Sequence, residues 1–105
     1  MIMKNKIKTP IMYDILFKEF MEPMGISSYK LAKDIMVPVS RIQDILHGRR
    51  RMSVDTSVRL GKYFNVSDKY FIDIQDDIDI RNIKLNNRDT LKLIKKAGLE
   101  LQNQT

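Results

Sequence analysis

The segment from Ser27 to Arg51, SSYKLAKDIMVPVSRIQDILHGRRR, constrains the fold more than any other part of the chain. Two short apolar patterns with helical spacing lie in it. The first consists of Leu31, Ala32 and Ile35, and the second consists of Ile42, Ile45 and Leu46. Because residues three and four apart share one face of a helix, each pattern predicts a short amphipathic helix. The interval between them has room only for a tight turn, which contains Met36, Val37 and Pro38.

Capping residues predict where both helices begin and end. Ser27 is suited to the N-cap of the first helix because its hydroxyl accepts a hydrogen bond from a free amide of the first turn. Pro38 is suited to the start of the second helix because its fixed φ is helical and its missing N–H would be unpaired there. Gly48 is a suitable C-terminal cap. Two short helices joined by a tight turn are typical of a helix-turn-helix, whose second helix enters the major groove of DNA.

Three further helices are predicted on either side of this segment. The first begins near Ile11, stops at Pro23 and Gly25, and directs inward Ile11, Ile15, Leu16 and Phe20, with Phe17 and Met21 beside them. The next begins at Ser53 and directs inward Val54, Val58, Leu60 and Phe64. The last begins at Ser67 and contains Tyr70, Phe71, Ile74 and Ile78. Without a predicted strand, the expected fold is an all-α domain of five helices.

The chain is expected to have one domain with two appendages. Residues 1–10 are predicted to be a flexible lead-in, residues 11–80 the helix-turn-helix domain and residues 81–105 a C-terminal extension. The pattern of the extension predicts a short helix that breaks near Gly98. Its apolar face would consist of Leu91, Leu93, Ile94 and Leu99, and its basic face of Lys92, Lys95 and Lys96. Its apolar side is too small to fold alone. We therefore expect it to dock on its own domain, a second copy or a partner.

The net charge of +6 is unevenly distributed along the chain. Residues 1–66 carry 12 Lys or Arg against 6 Asp or Glu, whereas residues 67–81 carry 2 against 5. The basic front indicates a polyanionic partner, and the acidic middle indicates either a different partner or a basic neighbour in the fold. Swings of this kind also occur in small basic proteins that bind no polyanion, so charge alone does not decide.

The residue inventory argues against an enzyme, a cofactor or a membrane protein. The chain has no cysteine and a single histidine, His47, so it lacks a thiolate nucleophile and a histidine-rich metal site. Its four glycines are isolated and form no phosphate-binding loop. No apolar run approaches the roughly 18 residues of a membrane span, and the start lacks the apolar core of a signal peptide. We expect a soluble cytoplasmic protein without catalytic residues, bound metal or cofactor.

DNA binding requires side chains for base edges and side chains for phosphates, and this segment offers both. The predicted base contacts lie at the start and outer face of the second helix: Val39, Ser40, Arg41, Gln43 and Asp44. The predicted phosphate contacts lie at the start of the first helix and after the second: Ser28, Tyr29, Lys30, His47, Arg49, Arg50 and Arg51. Three consecutive arginines alone are a weak signal, and their position directly after a helix-turn-helix makes them more specific.

Short motifs spread over about residues 14–75 resemble one family. They are Phe20, Glu22-Pro23, Gly25, Tyr29, Leu31-Ala32-Lys33, Val37-Pro38, Ser40-Arg41-Ile42, Gly48-Arg49-Arg50, Asp55-Thr56, Arg59-Leu60 and Gln75. This run resembles, almost without gaps, the HigA-type antitoxins, whose helix-turn-helix is of the phage-repressor (XRE) class. The resemblance implies a five-helix, lambda-repressor-like DNA-binding domain. The chain departs from the family at Met36, which replaces the turn glycine, at Val39, where arginine is frequent, and at Ile11, Met12 and Tyr13, where His-Pro-Gly is common.

What the resemblance implies is an antitoxin of a type II toxin–antitoxin module. Such a protein binds and neutralises a HigB-like toxin, a basic mRNA-cleaving ribonuclease of the RelE class. It also represses its own operon as a homodimer on an inverted repeat. Because a basic toxin attracts carboxylates, the expected contacts, besides the terminal segment, are Asp73, Asp76, Asp77 and Asp79. The alternative is a stand-alone XRE-family repressor without a toxin, and a small nuclease has almost no support.

Overall fold

The protein was analysed as a computed structural model that describes residues 11–98. The predicted lead-in at residues 1–10 and the last seven residues of the predicted extension, 99–105, lie outside the described part. Within residues 11–98 the chain forms helices and no strand. The all-α fold expected from the sequence is thereby confirmed.

Six helices follow one another along the described chain. Helix α1 has π-type hydrogen bonding over Asp14–Met21 and continues as an α-helical turn over Glu22–Met24. The helix-turn-helix consists of α2, Ser28–Ile35, and α3, Val39–Leu46. The remaining helices are α4, Val54–Phe64; α5, Tyr70–Asn86; and α6, Arg88–Lys92.

The caps predicted from the sequence are present at the helix-turn-helix and at α4. The Ser27 hydroxyl accepts from the Lys30 amide at 3.1 Å, and the Ser53 hydroxyl accepts from the Thr56 amide at 3.2 Å. Gly48 follows α3 with φ +77°, a conformation that favours glycine. Pro38 differs slightly from expectation: it is extended, with ψ 144°, and stands one residue before the helix, not within it.

The core lies between the helix-turn-helix and the helices on either side of it. Its fully buried apolar side chains come from five helices and the loop before α4: Leu16, Met21, Leu31, Ile42, Ile45, Met52, Leu60 and Phe71. Phe20 of α1 joins α4 and α5, since its ring centroid lies 4.9 Å from that of Phe64 and 5.2 Å from that of Phe71. Such offset aromatic contacts add to the burial of apolar surface. The core therefore holds both helices of the helix-turn-helix against a common support.

The inward face predicted for α4 was partly wrong. Val54 and Val58 are 65% and 44% exposed, whereas Thr56 and Ser57 are fully buried. The reason is a close approach between α4 and the start of α5, which only small side chains permit. The Ser57 hydroxyl donates to the Asp68 carbonyl at 2.6 Å and accepts from the Ile72 amide at 3.0 Å. A Cβ on Gly61 would lie 2.7 Å from the Ser67 carbonyl oxygen.

Two other expectations about the ends of the domain were also wrong. Ile11, expected to face inward, is 53% exposed because it precedes α1 and does not belong to it. Helix α5 was expected to reach Ile78 and instead continues to Asn86, since no glycine or proline interrupts it. The terminal helix is a short one, α6, and ends well before Gly98. Residues 81–98 are all exposed.

Met36, at the turn between α2 and α3, adopts the left-handed conformation that glycine would adopt without cost. Its φ is +65° and its ψ is +49°, and its side chain is 82% exposed. The turn is held by the Val37 amide, which donates to the Ala32 carbonyl at 3.0 Å. Since Met36 gains little by burial, its Cβ makes the turn energetically costly.

Replacing Met36 by glycine is therefore expected to stabilise the fold. Relief of the left-handed Cβ gains about 1–2 kcal/mol, and the greater freedom of glycine in the unfolded chain offsets about 0.4–1 kcal/mol of that. The midpoint of urea unfolding should rise. The matched control is Asn65→Gly, also left-handed with φ +59°, which should gain less because asparagine tolerates this conformation. A lower midpoint for Met36→Gly than for the unmodified protein would contradict the left-handed turn.

Candidate nucleic-acid interface

Helix α3 has one buried face and one polar face. Ile42, Ile45 and Leu46 are buried in the core. At about 100° per residue, Ser40, Asp44 and His47 lie on the opposite side of the helix, with Gln43 next to them. Ser40, Gln43 and His47 are exposed, and Asp44 is half-buried. The polar face that the sequence predicted to read base edges is therefore open to solvent.

The other two predicted base contacts lie on the flanks of α3. Val39 is half-buried and packs against the core. Arg41 is turned towards α4, where its Nη1 donates to Asp55 Oδ2 at 3.0 Å, and its side chain is 27% exposed. The structure thus brings three of the five predicted residues to the centre of the exposed face, namely Ser40, Gln43 and Asp44.

The loop after α3 is held by the end of that helix. The amides of Arg49 and Arg50 both donate to the Asp44 carbonyl, at 2.8 and 3.2 Å. The Arg49 guanidinium also donates to the Asp44 carboxylate, at 2.9 Å from Nε. His47 Nδ1 lies 2.7 Å from the Gln43 carbonyl oxygen. Arg49, Arg50 and Arg51 therefore begin from a fixed backbone beside the exposed face of α3.

The three arginines differ in what their side chains contact. Within residues 11–98, Arg50 is exposed and makes no hydrogen bond or ion pair through its side chain. Arg51 instead reaches α5, where it donates to Asp79 Oδ2 at 2.6 Å from Nη2 and at 2.9 Å from Nε, and to Asp76 at 3.2 Å. These hydrogen bonds, chiefly those to Asp79, raise the pKa of the Arg51 guanidinium. Of the three, only Arg50 has a free guanidinium.

A buried glutamine on α5 anchors the same loop. Gln75 accepts from the amide of Met52 at 2.8 Å through its Oε1 and donates to Asp79 at 3.0 Å through its Nε2. Met52 is itself fully buried. Gln75 is one of the residues that resemble the family, and no role was predicted for it from the sequence. Its helical spacing from Phe71 and Ile78 places it on the apolar face of α5, where a polar side chain indicates a buried hydrogen bond.

The start of α2 carries the remaining predicted phosphate contacts. Tyr29 is 77% exposed, and Ser28 is half-buried in the first turn. The Lys30 ammonium donates to Asp34 at 2.9 Å, and the Tyr63 hydroxyl donates to the same carboxylate at 2.6 Å. The bond from Tyr63, and then that from Lys30, holds the pKa of Asp34 below its usual value. The ammonium group of Lys30 is therefore exposed to solvent and forms an ion pair with Asp34, one helical turn further along α2.

The four predicted toxin contacts on α5 form two pairs. Asp76 and Asp79 bind Arg51 as described, whereas Asp73 and Asp77 are exposed and make no side-chain hydrogen bond or ion pair within residues 11–98.

Within residues 11–98, no group of three His, Cys, Asp or Glu side chains is placed to hold a metal ion. No helix of the described chain is long and apolar enough to cross a membrane.

Replacing Gln75 by alanine is expected to destabilise the protein by about 1–3 kcal/mol, because the buried Met52 amide loses its acceptor. Urea unfolding measures this loss. The control, Gln43→Ala on the exposed face of α3, should change stability by no more than about 0.5 kcal/mol. Equal midpoints for the two variants would show that the Gln75 anchor does not contribute.

The chain is similar to known helix-turn-helix proteins over much of its length. The sequence profile of the family described as Helix-turn-helix matches residues 17–71, which is more than half of the chain. Virulence-associated protein I of Dichelobacter nodosus is 33% identical over 78 residues, covering 74% of this chain and 72% of that protein.

Two solved structures share the fold over nearly their whole length. An addiction module antidote protein of the HigA family from Coxiella burnetii has a TM-score of 0.79 at 26% identity, covering 86% of this chain and 99% of that one. Antitoxin HigA of Pseudomonas aeruginosa, solved with the higBA promoter, has a TM-score of 0.80 at 25% identity with the same coverage. The first is described as an antidote protein of an addiction module and the second as an antitoxin. The chain belongs to the helix-turn-helix family of the XRE type, and its fold is that of the HigA-type antitoxins.

Proposed function

We propose that this protein is an antitoxin that represses its own operon by binding operator DNA and neutralises a HigB-like, mRNA-cleaving toxin by direct contact. The observation that carries the DNA half is the exposed polar face of α3 beside the free guanidinium of Arg50. A major groove admits one α-helix, and a helix docked there needs polar side chains towards the bases and cations towards the phosphates. The Pseudomonas aeruginosa HigA solved with its promoter supports the same use of the fold.

In this proposal, α3 reads base edges and its neighbours hold the backbone of the duplex. Ser40, Gln43 and Asp44 face the bases, with Val39 at the edge of the contact, and Arg41 is bound to Asp55. Phosphates are held by Arg50 and by the other predicted residues: Ser28, Tyr29, Lys30, His47, Arg49 and Arg51. Several of these cations are already paired with carboxylates on the surface. Such surface pairs contribute only about 0–1 kcal/mol, so a phosphate can replace a carboxylate at small cost.

An inverted-repeat operator requires two copies of the chain related by a two-fold axis. The distal half of α5 is the surface we assign to this contact, with residues 87–98 as its continuation. Ile80 and Ile83, three residues apart on one face of the helix, are each more than half exposed there. Exposed apolar side chains that adjoin one another mark an interaction surface.

The toxin contact is assigned to the acidic face of α5. Asp73 and Asp77 lie one helical turn apart and carry free carboxylates. Asp76 and Asp79 already neutralise Arg51 and contribute less to an outside partner. A basic ribonuclease surface is complementary to such a face.

Arg50→Glu is expected to weaken binding to duplex DNA from the region upstream of the protein's gene. The loss should be similar for all sequences, and the slope of log K against log salt should become shallower by about one unit, because one phosphate contact is lost. Fluorescence anisotropy at several salt concentrations measures both. Lys18→Glu on α1 makes the same change in net charge outside the helix-turn-helix and should leave the slope as it is. An unchanged slope for Arg50→Glu would contradict the phosphate role.

Co-expression tests the proposal that the protein neutralises a toxin. The partner is the basic protein encoded by a short neighbouring gene. The protein should restore growth and co-purify with that product. Asp73→Asn together with Asp77→Asn should weaken the complex, because two free carboxylates are lost. The control, Glu19→Gln with Glu22→Gln on α1, removes the same charge from exposed positions and should not. Operator binding without rescue or complex would indicate the alternative, a stand-alone repressor.

A further inference from the structure

Helices α2, α3 and α4 are joined by a network of three charged side chains that lies beside the exposed face of α3. Asp55, in the first turn of α4, accepts from Arg41 Nη1 and from Arg59 Nε through the same oxygen, Oδ2, each at 3.0 Å. Arg41 belongs to α3 and Arg59 to α4. The carboxylate therefore connects α3 to α4 at the end of α3 where base contacts begin.

Arg59 extends this network to the turn of the helix-turn-helix. Its Nη1 donates to the Ile35 carbonyl at 2.9 Å and lies 3.4 Å from the Met36 carbonyl oxygen. The last carbonyls of a helix lack partners within the helix and carry partial negative charge, so a guanidinium satisfies both needs there. One arginine thus contacts the end of α2, the left-handed residue of the turn and, through Asp55, the start of α3.

The position of Arg41 argues against a role in reading bases. Counted at about 100° per residue, it lies on the flank of α3 towards α4, away from the centre of the face that Ser40 and Asp44 define. Its side chain is the less exposed of the two arginines, at 27% against 39% for Arg59. Insertion into a groove would require it to leave Asp55, whose carboxylate would then be held by Arg59 alone.

We propose that Arg41, Asp55 and Arg59 are positioning residues that set the orientation of α3 relative to α2 and α4, and that Arg41 does not read bases. This inference rests on the proposed function, because it concerns how α3 is presented to DNA. It replaces the base contact that the sequence predicted for Arg41. Base discrimination is then left to Ser40, Gln43 and Asp44, with Val39 at the edge.

Asp55→Asn tests the proposal through the sign of its effect. Removal of a negative charge beside the DNA-binding face strengthens binding to a polyanion if only charge matters. Loss of positioning has the opposite effect, and we expect binding to weaken by roughly three- to fivefold, the range for a partly exposed ion pair. The probe is duplex DNA from the region upstream of the protein's gene, and anisotropy measures the affinity. Asp55→Glu, which keeps the carboxylate, should restore most of the binding.

Glu19→Gln is the matched control, since it removes one exposed carboxylate from α1 and should leave affinity unchanged or slightly tighter. The urea midpoint of each variant is measured in parallel, so that a loss of folded protein is separated from a loss of affinity. Binding by Asp55→Asn as tight as that of the unmodified protein, or tighter, overturns the proposal. If the unmodified protein binds none of the DNA, the proposed function fails, which is a different outcome.

Arg41→Gln tests the second part of the proposal. Duplexes in which each base pair of the bound half-site is exchanged in turn are compared. We expect Arg41→Gln to weaken binding to every duplex by the same factor, so that the order of preference is kept. Relaxed preference at a single base pair would make Arg41 a base reader and overturn its assignment.

A measurement without DNA checks the contact with the turn. Arg59→Met keeps the aliphatic stem of the side chain and removes the donors to the Ile35 and Met36 carbonyls. Hydrogen exchange of the Val37 amide, which closes the turn on Ala32, should then become faster than the change in global stability explains. Exchange that follows global stability alone would remove Arg59 from the positioning network.

Discussion

The burial of one face of α3 is the constraint on which the rest of the structure depends. This helix has only eight residues, a length at which an isolated helix is not stable in water. Ile42, Ile45 and Leu46 hold it by packing into a core to which α1, α4 and α5 also contribute. Because the apolar face is held so firmly, the opposite face is free to carry side chains chosen for recognition and not for stability.

Local features of the fold were predictable from the sequence, and contacts between distant residues were not. The Ser27 and Ser53 caps and the turn at Gly48 depend on neighbours within a few residues, so spacing alone indicated them. The prediction of the inward face of α4 was partly wrong because small residues of α4 decide how closely α5 approaches. Nothing in the order of residues shows that Ser57, with a polar side chain, is buried in place of Val58.

The candidate site shows the same division. The predicted base contacts lie on α3, where helical periodicity separates the polar face from the buried one. Individual side-chain partners were not foreseen, because Arg51 meets Asp79 and Gln75 meets Met52 across more than twenty residues of sequence. Charge counting left two interpretations open for the acidic segment at residues 67–81, a different partner or a basic neighbour in the fold. The structure contains such a neighbour, since Arg51 pairs with Asp76 and Asp79. The segment therefore supplies partners to the basic front as well as exposed carboxylates.

Helix α5 continues without a break past residue 80, where the sequence predicted the boundary between the helix-turn-helix domain and the C-terminal extension. Seventeen residues at about 1.5 Å each form a rod of about 25 Å. Its first and middle turns carry Gln75 and Asp79, which fix the arginine loop, and the turns that follow carry the exposed apolar residues Ile80 and Ile83. Because both lie on one continuous helix, the anchor of the loop and the exposed apolar residues keep a fixed spacing along its axis.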